Sequence, residues 1–130
     1  MTTTDNFKVT REIPQQRVED LLCCAFEGGS GYWCCILDYE NPDNVEVTYK
    51  HTQLPLTERG AVICVESNDF PPESEENQRW RLDREAVARG LQLMAEKYPN
   101  HFGDFANENE DAITGDVFLQ LALFGELVYG

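Results

Sequence analysis

Asp111-Ala-Ile-Thr-Gly-Asp-Val-Phe-Leu-Gln-Leu-Ala-Leu-Phe-Gly-Glu-Leu-Val-Tyr-Gly130 is the stretch on which the reading of the fold turns. Ile113, Val117, Leu121, Phe124 and Val128 recur at three- and four-residue intervals, and Phe118, Leu119 and Leu123 add apolar surface beside them. That spacing predicts a helix with almost no polar face, which has to be buried nearly all round. In so short a chain such a helix is either the centre of the only core or a surface for a partner, including a second copy of itself docked through Ile113 to Val128. Gly115, Ala122 and Gly125 would let another backbone approach closely. No residue on it is an obvious catalyst.

Working outward, 130 residues make one domain, large enough to bury about two-thirds of its extended surface. Before the last helix, Asp83 is placed to cap a helix carrying Val87, Leu91, Met94 and Tyr98 on one face, with Pro99 ending it and a polar connection from His101 to Glu110. Arg79 to Leu82 reads as an edge strand and Ala61 to Val65 as a buried one. Glu66 to Asn77, with Pro71-Pro72 and several acids, reads as a solvated loop.

Tyr32-Trp-Cys-Cys-Ile-Leu37 is a continuous apolar run and is expected in the middle of a sheet. Val45 to Tyr49 alternates and is expected as a half-exposed strand. Nearer the start, Pro14 opens a helix whose Val18, Leu21, Leu22, Ala25 and Phe26 form one face and which stops at Gly28-Gly29. Phe7 to Ile13 reads as a short strand or an extended arm packed on the domain. The order predicts an α+β fold, a small antiparallel sheet with about three helices packed on one face.

Charge narrows the function. Twenty-four acidic against ten basic side chains leave a formal net charge of −14, and no Lys or Arg follows Lys97. The resulting field repels phosphate backbones, so no direct nucleic-acid binding is expected; the natural partner is a protein with a basic groove. Cys23, Cys24, Cys34, Cys35 and Cys64 sit in apolar runs, and the Cys-Cys, nine residues, Cys-Cys spacing lacks the two-residue gap of a zinc knuckle. Reduced thiols, no metal and no cofactor are the expectation. No apolar run is long enough to span a bilayer, so no membrane contact is expected either.

Two blocks resemble a known family. Glu27-Gly-Gly-Ser-Gly-Tyr-Trp33 is one; the other is Gly90 to Phe105 continuing into Asp111-Ala-Ile-Thr-Gly-Asp-Val-Phe-Leu-Gln120 and Phe124-Gly-Glu-Leu-Val-Tyr-Gly130. Together they look like a family of small bacteriophage and prophage proteins. The resemblance implies a phage product acting in the cytoplasm of an infected bacterium. By analogy of class it points to counter-defence, as in anti-CRISPR proteins.

Two sites compete for that role. Glu66, Asp69, Glu73, Glu75, Glu76, Asp104, Glu108, Glu110 and Asp111 would form an acidic, nucleic-acid-mimicking surface for a host defence protein. Alternatively Glu27, Ser30, Tyr32 and Trp33, with Arg79, Trp80 and Arg81, would hold a nucleotide-like immune signal by hydrogen bonds, stacking and guanidinium forks. A phage accessory or structural protein is the third possibility. Asn107 to Asp111 imitates the start of a calcium loop, but Ala112 and Phe118 stand where the turn glycine and the bidentate glutamate belong. Cys64 with His51 or His101 could be written as a nucleophile and base, yet no spacing supports it, and no catalytic residue is assigned.

Overall fold

The computed structural model describes residues 6–41, 44–57, 60–65 and 78–130. Among these, helix and strand are mixed: α1 (Gln15–Cys24), β1 (Cys34–Tyr39), α2 (Lys50–Gln53), β2 (Ala61–Val65), β3 (Gln78–Leu82), α3 (Arg84–Lys97), α4 (Pro99–Ala106) and α5 (Ala112–Phe124). The strands pair antiparallel in the order β1-β2-β3.

Helix α5 touches α1, α3, α4 and β3, and the chain packs round it. Asp111 caps it by accepting from the Thr114 backbone N–H at 2.9 Å. Every residue from Val117 to Leu123 is buried, with Leu21, Leu22, Trp33, Leu82, Met94 and Phe105 among the side chains that share this core. The close approach is literal at Gly115, where a Cβ would lie 2.5 Å from the Ala25 nitrogen.

The helix is shorter than its apolar stripe. Gly125 takes a left-handed conformation, φ 77°, and stops it, so Val128 lies beyond the helix and is exposed. Ile113, in the first turn, is 64% exposed. One chain thus covers the middle of α5 without a second copy, leaving apolar residues outside at both ends. The tail returns because Gln120, itself buried, accepts from the Val128 and Tyr129 N–H groups at 2.8 Å each and donates to the Tyr129 carbonyl at 3.2 Å.

Four expectations fail for identifiable reasons. The Tyr32 to Leu37 run enters β1, but β1 is an edge and β2 is central. At the start of β1, Trp33 and Cys34 still reach the core, with Ile36 and Tyr39 partly buried against it. Val45 to Tyr49 forms no strand, because side chains take the backbone groups that a ladder would use. Asn41 pairs with both the N–H and the carbonyl of Val45, and Gln53 accepts from Thr48 and Tyr49 N–H.

Pro99 ends α3 and also opens α4 as its first residue, so most of the expected polar connection is helical. The Phe7 to Ile13 arm is not packed: Phe7 and Val9 are 96% and 92% exposed, and only Ile13 reaches the core.

Candidate functional site

The turn after α1 positions two clusters. The last five residues of the first helical segment, Ala25–Gly29, widen into a π turn, and Ser30 N–H closes it onto the Ala25 carbonyl. Gly29 is required here by space, because a Cβ would sit 2.0 Å from the Ala112 carbonyl oxygen at the start of α5. This contact sets the loop against α5 and aims the following residues at one carboxylate.

That carboxylate is Asp116. Its Oδ1 accepts from Ser30 Oγ at 2.8 Å and from Trp33 Nε1 at 2.6 Å, and its Oδ2 accepts from the Tyr32 hydroxyl at 2.7 Å. Partial desolvation of the Tyr32 phenol, followed by the bond to Asp116, pushes it up to about 12. Trp33 stacks on Tyr129 at 5.2 Å and tilts against Phe124 at 5.4 Å. The polar atoms once assigned to a ligand are therefore bound to the protein itself.

Glu27 faces the other way. Its Oε2 accepts from Cys23 Sγ at 2.7 Å, one helical turn back, and lies 2.8 Å from His51 Nε2 of α2. The Cys23 hydrogen bond, then His51, holds the Glu27 carboxyl below its usual range. The same Glu27 bond, then burial, pushes the Cys23 thiol up to about 11. Ligand atoms of Cys23, Glu27 and His51 lie within 4.8 Å of one another.

The arginine cluster stands apart. Arg81 forks onto Glu40 at 2.7 and 2.8 Å, Trp80 meets Phe124 edge-on at 5.0 Å, and Arg79 is exposed. So the seven residues of the ligand-binding alternative divide into three groups. Trp33 and Trp80 share only the Phe124 ring between them.

The acidic surface is also divided. Glu66, Asp69, Glu73, Glu75 and Glu76 lie outside the described residues. Glu110, its side chain 8% exposed, is paired with Arg17 at 2.6 Å. Asp111 is the α5 cap, and the Thr114 backbone bond, the largest influence, keeps its carboxyl below the usual range. Asp104 and Glu108 remain exposed, with Glu108 3.9 Å from Arg17 Nε.

Sequence reasoning missed Asp116 and the meeting of Cys23, Glu27 and His51. The signal for the first was present: Asp116 is the single charged residue between Ala112 and Phe124. For the second, the four-residue Cys23 to Glu27 spacing was visible, while the approach of His51 was not. No family model matches the chain, and no curated protein or solved structure is similar to it. Among the described residues no helix is long and apolar enough to cross a membrane.

Proposed function

We propose that the protein is a non-enzymatic binder of the phage counter-defence type, presenting an acidic, nucleic-acid-mimicking surface to the basic groove of a host defence protein in the cytoplasm of an infected bacterium. We read its architecture as α+β, the antiparallel sheet carrying helices on one face.

One observation carries the proposal: several arginines are tied to partners within the fold while many carboxylates face water. Arg17 is held by Asp20, Glu110 and the Phe105 carbonyl, and Arg81 by Glu40. Arg84 and Arg89 donate to the carbonyl oxygens of Leu56 and Ala122. Against ten Lys and Arg stand 24 acids, and Glu12, Asp38, Glu46, Glu85, Glu96, Asp104, Glu108 and Glu126 are among those exposed. Such charges act on association rate and are screened within about 8–10 Å at physiological salt.

Capture of a host partner from bacterial lysate should therefore weaken steeply as salt rises. Lys at Glu73, Glu75 and Glu76, or at Asp104 and Glu108, should abolish it, while Arg81→Ala leaves it intact. If the reversals keep full binding and a folded Arg81→Ala protein loses it along with a bound nucleotide, the protein is a ligand sponge instead.

A further inference from the structure

We propose that Cys23, Glu27 and His51 form a binding site for a divalent transition-metal ion of the zinc type, with at least one coordination position left to water. This stands independently of the acidic-surface reading.

Three different donors converge from two separate elements. Cys23 belongs to α1 and Glu27 to the π turn that continues it, four residues on, so both side chains project from the same side one turn apart. His51, in α2, closes the triangle from across the chain with Nε2 already turned inward.

The donor set selects the ion. Thiolate, imidazole and carboxylate together suit zinc and its neighbours, and disfavour calcium or magnesium, which take oxygen alone. Thiolate and carboxylate supply two negative charges against the two positive ones of the metal, with a neutral imidazole completing the set. Bond lengths of ~2.0–2.3 Å in a tetrahedral site place donors about 3.3–3.8 Å apart. The present contacts of 2.7 and 2.8 Å would open by about 0.5–1 Å for such bond lengths, a movement within side-chain reach because the Glu27 side chain is 59% exposed.

Room and access are both present. The three residues share a cavity of about 320 Å³ with Glu19, Asp20 and Tyr49. Glu27 and His51 also border a hollow of about 610 Å³ on the side of Cys35 and Tyr39. Binding replaces the Cys23 S–H proton, now shared with Glu27, by a sulfur-to-metal bond, and the proton leaves to water. The paired-cysteine spacing, which argued against zinc, does not bear on a site built from a single thiol.

The test uses the 130-residue chain, reduced and stripped with a chelator. Titration with Zn²⁺ should bind one equivalent, and Co²⁺ should give thiolate-to-cobalt charge-transfer absorption with tetrahedral d–d bands. Cys23→Ser and His51→Ala, each checked for an unchanged circular-dichroism spectrum, should remove the charge-transfer band or the tetrahedral signature and weaken Zn²⁺ binding at least about tenfold. Cys24→Ser should retain both. Stoichiometric binding that survives unchanged in Cys23→Ser and His51→Ala, or a reduced, folded wild-type chain that binds no Zn²⁺, overturns the assignment.

Discussion

Asp116→Ala is the sharpest test of the junction between the turn and α5. The substitution removes one acceptor from Ser30, one from Trp33 and one from Tyr32. Ser30 and Trp33 are 1% and 2% exposed, so their donors are left without water, whereas Tyr32 is 57% exposed and re-solvates. Each buried orphan costs about 1–3 kcal/mol, which puts the variant about 2–6 kcal/mol below wild type. Asp116→Asn separates charge from geometry. Both buried donors use Oδ1, so an amide oxygen in that place keeps them; the amide N–H can donate to the Tyr32 hydroxyl oxygen, and the loss of the charge costs about 1 kcal/mol. Urea unfolding followed by far-ultraviolet circular dichroism, with a slope of about 1–3 kcal/mol/M, turns the Ala loss into a midpoint drop of ~1 M or more. An Asp116→Ala protein within about 0.5 kcal/mol of wild type would refute the reasoning.

Gln120→Leu, which keeps the buried volume but removes the backbone contacts of Val128 and Tyr129, should free the tail; limited carboxypeptidase digestion should then release Tyr129 faster than in wild type. Cys23 should be a slow thiol, since its pKa of about 11 leaves little thiolate at pH 8. Glu27→Gln removes the main cause of the upward shift and should speed iodoacetamide labelling of Cys23, read by peptide mass spectrometry. The sign for stability follows: the folded state holds this proton more tightly than the unfolded chain, so the contribution is complete below about pH 9 and fades as pH rises toward 11.

The elements that could be read from sequence were those whose pattern is local. Val18, Leu21 and Leu22 fixed α1, Asp83 announced its helix as a cap, and the dense apolar residues of α5 marked the centre of the core. What failed depended on neighbours that the sequence does not display. Val45 to Tyr49 alternates like a strand, yet Asn41 and Gln53 occupy its backbone. The glycines of the Glu27 to Trp33 turn suggested room for a ligand, yet Gly29 is filled by the Ala112 backbone and the polar side chains close on Asp116. Of the acidic surface, Glu110 was legible as a charge but not as an ion-pair partner. Whether a carboxylate faces water or an arginine 93 residues away is decided by tertiary structure.

The Phe124 ring has a consequence for how this protein is observed. The chain has two tryptophans, and both rings lie against that one phenylalanine, Trp33 at 5.4 Å and Trp80 at 5.0 Å. Its intrinsic fluorescence is therefore a local gauge of the spot where α5 ends, the tail returns and β3 passes. An emission change would report that corner loosening even while α1 and α3 stay folded. Agreement between emission and helical ellipticity across a melt would show that the corner and the body come apart as a single cooperative unit.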